Sequence, residues 1–506
     1  MLSKTLTFGF RGIDGYLIEV EVDISSGLPS YNLVGLPDTV IKESRDRINS
    51  AIRNSGFDLP NKKITVNLAP AEIKKAGTHF DLPIAIGILI ASGNLKPKID
   101  ISKIAFIGEL ALDGKIRPVI GALPMLISMK EKKLADTLIL PAGNYREAEI
   151  ANVNFNTASN LREIINYLNG EGELKKELSV KNEKEEESYN IDFSEVKGQR
   201  LAMRAMEIAV SGFHNIIMIG PPGSGKSMMA KRICTIMPPM SQEEIMETTK
   251  IYSVAGLLNG SIIRARPFRD PHHTISDIAL IGGGQNPRPG EVSLAHNGVL
   301  FLDEFTEFSR QAIETLRQPL ENRKITISRV KESISYPANF LLVAASNPCP
   351  CGYYGHPHKE CICTPIQIQK YRNKISGPVM DRIDIQLQIA PVNYSQWKDN
   401  LSKSESSADI LNRVIETIDR QRFRYKGKFK YNSMLTAREI AQYCKMPDEV
   451  SELLSNAMDR LGFSARSMDR IAKLSRTIAD MEKSDTIKKE HVIEALQYRF
   501  MDRPLI

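Results

Sequence analysis

GPPGSGKS, residues 220–227, is the stretch from which the rest of the chain can be read. It follows the apolar run 215–219 without a break and leads into a helical stretch over 228–236, which is the strand, glycine-rich loop and helix of a phosphate-binding turn. In the loop Gly220, Pro221, Pro222, Gly223, Ser224 and Gly225 the glycines let backbone N–H groups close around phosphate oxygens at a helix N-terminus. Lys226 then reaches the outer phosphates of ATP, and the Ser227 hydroxyl is a ligand for Mg²⁺. A glycine-rich turn without chemistry is the alternative, and it leaves the complete pattern unaccounted for. A second apolar run, 298–302, ends in Asp303-Glu304. A carboxylate at a strand tip can hold Mg²⁺ through Asp303, and Glu304 can polarise an attacking water. A third run, 340–345, ends in Ser346-Asn347, where the amide of Asn347 can orient the same water; alone, Asn347 would be a turn residue.

These three runs, separated by helical segments, predict a parallel α/β sheet over 191–395. Upstream, residues 1–170 alternate β-rich runs (16–22, 63–68, 104–109) with apolar helical stretches such as 81–92, and predict an α+β domain. Between 171 and 190 Glu and Lys dominate and apolar residues thin out, as in a linker. Downstream, 396–506 carries apolar residues at helical spacing and predicts a helical lid. The fold class is thus α/β and multidomain. Hydrophobic residues make up 42% and charged residues 25%, which excludes extensive disorder. Met1–Phe10 shows no basic region followed by an apolar run, and no run of eighteen apolar residues occurs, so the expectation is a cytoplasmic protein without a membrane partner. The 67 Lys+Arg against 60 Asp+Glu permit a polyanionic partner without requiring one.

Six segments carry a resemblance: GPPGSGKSMMAKR (220–232), RPFRDPHHTIS (266–276), GEVSLAHNGVLFLDEF (290–305), ASNPCPCG (345–352), SGPVMDRIDI (376–385) and SARSMDRIAKLSRTIAD (464–480). Together they resemble the magnesium-chelatase-like AAA+ ATPases, in particular the ComM/YifB group, over nearly the whole chain. The resemblance implies a hexameric ring of identical chains, with Asn347 as sensor, Arg382 as arginine finger and Arg466 as the lid's sensor arginine; Arg470 is the alternative for that last role. It also implies an insertion around 266–289 facing the ring pore or the neighbouring subunit. The adjacent His272 and His273 in it read as a polar turn rather than a metal pair, because sequence neighbours rarely share a face. As activity it implies ATP hydrolysis coupled to branch migration of forked or branched DNA in recombination of transforming DNA. A magnesium-chelatase motor subunit and a Lon-like protease are the rival readings.

GELALDGKIRPVIGALP (108–124) and KKAGTHFDLPIAIGILIASG (74–93) are similar to the Lon protease domain, so the front domain is expected to be Lon-protease-like. Where Lon has its serine, however, this chain reads Gly77-Thr78-His79-Phe80-Asp81, and the lysine position falls near Pro124. Nucleophile and base are both missing, which disfavours proteolysis. Cys349, Cys351, Cys361 and Cys363 form Cys-x-Cys, nine residues, Cys-x-Cys; four thiolates can close a tetrahedral structural Zn²⁺ site. His356 or His358 can replace one ligand, and four free thiols are the alternative. Cys234 and Cys444 read as small core residues. RQRFRYKGKFKY (420–431) places a basic residue at every second position. Extended, it would present six charges on one face and aromatic rings on the other, suited to a nucleic-acid strand; helical, the charges scatter.

Overall fold

The computed structural model describes residues 1–175, 190–258, 260–284, 287–329, 332–391, 405–426, 430–461 and 464–500. Most of the expected 171–190 linker and the junction at 395/396 lie outside the described residues. The chain divides into two units, Met1–Glu185 with Ser241–Arg264, and Glu186–Met240 with Ala265–Ile506.

The first unit is α+β. Leu2–Arg11 and Asp14–Ser25 form an antiparallel hairpin, Phe8 opposite Leu17 and Thr5 opposite Val20. Ile18, Val20, Val22 and Ile24 are buried at a spacing of two, the period of a strand with one face inward. The seven-stranded sheet runs Ser30–Val34, Lys63–Ala69, Asp14–Ser25, Leu2–Arg11, Ile104–Phe106, Thr137–Pro141, Phe155–Ala158. Helix Asp81–Ser92 packs on the hairpin, and almost all its residues are buried, as a helix apolar on every side requires. The segment standing in place of a nucleophile belongs to this core. His79 lies against the Phe80 ring, centroids 4.1 Å apart, and burial pushes its pKa down to about 3. Asp81 is clamped by Arg47 at 2.9 and 3.1 Å.

The second unit is built on five parallel strands in the order Phe268–Arg269, Val299–Leu302, Leu341–Ser346, Ile216–Ile219, Ile385–Gln388. The last four are buried on both faces along nearly their whole length, which is why they read as unbroken apolar runs. The lid helices Ser407–Arg424, Ala437–Tyr443, Asp448–Leu461, Ala465–Met481 and Lys489–Gln497 follow. They do not close a separate core. Ile410, Val414, Ile471 and Ile478 lie in one apolar cluster with Ile208, Ile216 and Val343, and the Gln386 N–H donates to the Tyr498 carbonyl at 2.7 Å.

Of the two conformations open to the basic stretch 420–431, the structure has the helical one in its first half, which continues helix Ser407–Arg424, so the alternating charges scatter around an axis. Arg420 pairs with Asp485 at 3.0 Å, Arg422 with Asp419 at 3.2 Å, and Lys430 with Glu439 at 2.5 Å. Arg424 binds Asp480 with Nη1 2.7 Å from Oδ2. Tyr425 and Tyr431 are buried. Lys428 and Phe429 lie outside the described residues.

Residues 241–264, expected within the 191–395 core, belong to the first unit. Helix Gln242–Ala255 starts at a reciprocal cap between Ser241 and Glu244, which satisfies two of its orphan N–H groups. It is held at its far end by Glu147. That buried carboxylate accepts from Ser253 Oγ at 2.6 Å, Asn144 Nδ2 at 2.6 Å and Leu123 N at 3.1 Å, and burial holds it above the usual carboxylate range despite those donors. Ser253→Ala leaves the carboxylate short of a donor and is expected to cost about 1–3 kcal/mol in urea unfolding of this unit. A raised carboxyl pKa contributes stability that is complete below the unfolded value and is lost as pH rises through the folded one. Glu147→Gln should therefore flatten the fall in the unit's stability as pH rises from the ordinary carboxylate range through the raised folded pKa, and an unaltered slope in urea titrations across that range would contradict the assignment.

Candidate functional site

Because the five strands run the same way, their C-terminal ends collect at one edge of the sheet. The strand Ile216–Ile219 delivers Gly220 there. Its Cα sits under a neighbouring carbonyl, and a Cβ at this position would lie 2.5 Å from Ile389 O. Gly223 and Gly225 have φ of 76° and 87°, left-handed values that turn the chain into helix Lys226–Arg232 at little cost for glycine. Lys226 Nζ donates to the carbonyls of Gly220 at 2.8 Å and Pro221 at 2.9 Å. Burial lowers its pKa, and the charges of Asp303 and Glu304 oppose that shift. The ammonium thus rests inside the curl of the loop that phosphate oxygens would occupy. Ser227 Oγ donates to Asp303 Oδ2 at 2.5 Å, and this hydroxyl–carboxylate pair is the hard oxygen donor set that suits Mg²⁺. Glu304, in a left-handed conformation with φ 50°, projects its half-exposed carboxylate beside Asp303. Asn347 follows the strand Leu341–Ser346 at the same edge, and Ser346 Oγ, which lies 3.0 Å from Thr306 Oγ1, also reaches the Asn347 carbonyl at 3.1 Å.

Three neighbours of this site escaped the sequence reading. His273 Nδ1 lies 3.3 Å from Glu304 Oε2, and burial with the nearby Asp303 charge raises the Asp270 pKa. Both follow the edge strand Phe268–Arg269, which pairs with Val299–Leu300. The segment expected as an insertion over 266–289 therefore begins inside the central sheet and brings Asp270 and His273 to the acidic pair; Gln285 and Asn286 lie outside the described residues. Gln199 Nε2 donates to Ser224 O at 3.4 Å and Ala390 O at 2.9 Å, fastening the loop from behind. An Asp and a His two and five residues beyond Phe268 were visible in the sequence, but the strand that aims them was too short to show a period.

The arginines lie at the opposite edge. Asn215, which precedes strand Ile216–Ile219, donates to the Arg382 carbonyl at 2.9 Å, so about 15 Å of strand separates this end from the phosphate loop. Arg382 pairs with Glu321 and donates to Pro378 O at 2.5 Å. Arg466, exposed, stands 3.9 Å from Asp381, and Arg470 stands 3.8 Å from Asp384. A cavity of about 580 Å³ opens among Arg323, Arg382, Arg466, Arg470, Lys473 and Asp384. Arg382 Nε and Arg470 Nη1 are buried without a partner, and burial pulls Arg323 down to about 10. The excess of guanidinium groups with unused donors suits an anion.

The four cysteines converge. Their sulfurs all lie within 4.8 Å of one another, with Cys349–Cys351, Cys351–Cys361 and Cys349–Cys361 at 3.4, 3.5 and 3.7 Å. Disulfide sulfurs sit at about 2.05 Å; tetrahedral Zn–S bonds of about 2.3 Å place thiolates roughly 3.8 Å apart. The backbone N–H of Tyr353 draws the Cys351 thiol down to about 6, while burial and the adjoining sulfurs push Cys361 up to about 12. The four sulfurs cannot all ionise without a cation among them, and the donor set fits zinc. His356 instead accepts from the His358 and Lys359 N–H groups at 3.1 Å.

A parallel sheet with a phosphate loop and an acidic pair at one edge, continued by a helical lid, defines an AAA+ type of nucleotide-binding unit. Family profiles agree along the chain: "Magnesium chelatase, subunit ChlI" matches residues 192–397, "Subunit ChlI of Mg-chelatase" residues 20–144, and "Magnesium chelatase, subunit ChlI C-terminal" residues 404–499. The chain is 41% identical over 500 residues to the uncharacterized protein YifB of Salmonella typhimurium, covering 98% of this chain and 96% of that one. It is 41% identical over 499 residues to the competence protein ComM of Haemophilus influenzae, with the same coverage. A more distant similarity, 21% over 321 residues, covers 59% of this chain and 32% of the DNA replication licensing factor mcm6 of Dictyostelium discoideum. The chain belongs to the ComM/YifB family of magnesium-chelatase-like AAA+ proteins.

Glu304→Gln is expected to leave nucleotide affinity near wild type while lowering turnover by about 10²–10⁴; His273→Ala, which only frees the carboxylate, should lower turnover less and affinity not at all. Equal loss of affinity and turnover in either variant, measured by nucleotide titration and phosphate release, would remove these residues from the chemistry.

Proposed function

We propose that the chain hydrolyses ATP with Mg²⁺ as a ring of identical subunits and uses the energy to move branched DNA. In this reading Lys226 leaves its loop carbonyls for the outer phosphates, Ser227 and Asp303 hold the magnesium, and Glu304 takes the proton of a water oriented by Asn347. Magnesium supplies charge neutralisation at the phosphates. Arg382 and Arg466 reach the phosphates of the neighbouring subunit, with Arg470 beside them.

The separation of the two half-sites carries the proposal. The phosphate loop and the basic cavity occupy opposite edges of the same sheet, so one chain cannot use both on one nucleotide. A ring pairs the edge of each copy with that of the next. DNA as the substrate is supported by the names of two relatives, a competence protein and a replication licensing factor. The four-thiolate cluster is read as structural Zn²⁺, closed to water and without a role in hydrolysis.

A chelatase motor subunit is favoured over this reading only by the descriptions of the matching profiles. A protease finds no support in the front unit, where His79 and Asp81 are core. Among the described residues no helix is long and apolar enough to cross a membrane.

Forked DNA should accelerate ATP hydrolysis, and joint molecules should be resolved only when ATP is supplied, with binding weakening steeply as salt rises because phosphate contacts release counterions. Because Arg420, Arg422 and Arg424 are committed to internal ion pairs, alanine at Arg420 or Arg424 should change stability rather than the slope of that salt dependence. Hydrolysis indifferent to DNA and accelerated by a porphyrin-binding protein would favour the chelatase reading instead.

A further inference from the structure

The four sulfurs sit on a loop that leaves the sheet just after Asn347 and folds back over the phosphate loop. Between the strand Leu341–Ser346 and the helix Pro365–Arg372 the chain has only turns, so no ladder of backbone bonds holds its course. At its middle, Gly352 has φ 84° and lies directly on Pro222. A Cβ at Gly352 would stand 2.8 Å from Pro222 Cδ and 4.0 Å from Asn347 Cγ. Gly220 and Pro221 share with Pro348, Tyr354, Gly355 and Pro357 the walls of one cavity of about 370 Å³. Tyr354 is tied to the cluster, its N–H donating to Cys349 Sγ at 3.3 Å, and its ring lies 5.4 Å beneath the Arg372 guanidinium. Pro222 has no N–H with which to fix its own corner. The Ser224 N–H closes the turn on the Pro221 carbonyl at 3.3 Å, and the outer side of that corner is packed against Gly352, on a loop whose shape depends on its four sulfurs.

We infer that a zinc ion held by Cys349, Cys351, Cys361 and Cys363 braces the nucleotide site: it fixes the loop that supports Pro222 through Gly352 and that begins beside Asn347, so nucleotide affinity depends on the metal. The inference rests on the proposed readings of the cluster as a zinc site and of the phosphate loop as an ATP site. Gly352 and the cysteines act here through Pro222 and Asn347 and are positioning residues. Without the metal, four thiols crowded within 4.8 Å have no common partner, and the turns between them gain freedom that the folded loop must otherwise surrender.

The test uses the full chain, a fluorescent ATP analogue, and zinc content by mass spectrometry. Cys361→Ser should lose zinc and weaken analogue binding by about tenfold or more, the scale expected when a binding loop is misplaced by a fraction of an ångström. Cys361→His, which offers another zinc ligand, should restore both. Gly352→Val keeps all four sulfurs and should retain one zinc per chain, yet lose affinity by a similar factor because its side chain pushes on Pro222. In the cobalt-substituted protein the thiolate absorption bands should shift when the analogue saturates the site. Normal affinity in both zinc-free Cys361→Ser and zinc-loaded Gly352→Val would overturn the brace and leave the two underlying readings standing. A wild-type chain that binds nucleotide but never zinc would overturn it together with the metal reading. One that holds zinc but no nucleotide would overturn it together with the ATP reading.

Discussion

Parallel strands have two chemically different edges, and in this molecule that polarity separates the anion-binding groups into two sets. At the C-terminal edge the chain turns from strand to loop at Gly220, Asp303 and Asn347, and the turns carry backbone N–H groups, a lysine and carboxylates. At the N-terminal edge stand Asn215 and Asp384, with Arg382 and Arg470 gathered around them. The sheet cannot bend to bring the edges together, because its middle strands are buried on both faces and packed against helices. On the proposed reading, each set is therefore half of a site.

Both halves are held in reserve by internal partners. Lys226 rests on the Gly220 and Pro221 carbonyls, and Arg382 on the Glu321 carboxylate. A phosphate offers either cation a stronger, charged partner than a carbonyl and a more deeply enclosed one than an exposed carboxylate. The unused donors on Arg382 and Arg470 point the same way, since a buried guanidinium N–H without a partner is costly. The cysteine loop adds a third constraint at the C-terminal edge, where Gly352 lies on Pro222.

Much of this was legible in the sequence because it depends on local chemistry. The phosphate loop needs glycine at two left-handed positions, and the lid helices show their 3.6-residue period through Ala437–Tyr443 and Ala465–Met481. The four cysteines announce a cluster by spacing alone. What could not be read depends on where elements travel. Helix Gln242–Ala255 has ordinary caps and an ordinary apolar face, and nothing in its pattern says that this face meets Glu147 in the front unit rather than the sheet. The alternation over 420–431 mimicked a strand, but Arg424 meets Asp480, which lies far along the chain, and the Tyr425 hydroxyl turns inward to Asn432. His273 was passed over as a turn residue because its partner, Glu304, is brought to it by a two-residue edge strand.

The central claim is that a working site takes its phosphate loop from one chain and its arginine from another. A guanidinium supplied from outside a phosphate site raises turnover by about 10³–10⁵ in related nucleotide enzymes. Lys226→Ala and Arg382→Ala should then each be inactive, the first for want of the loop and the second for want of the finger. The decisive measurement is phosphate release after the two inactive proteins are mixed under conditions where subunits exchange. Recovered activity, from boundaries that pair an intact loop with an intact arginine, is the result this account predicts. No recovery, with exchange demonstrated by labelled subunits, would place Arg382 within its own chain and contradict it.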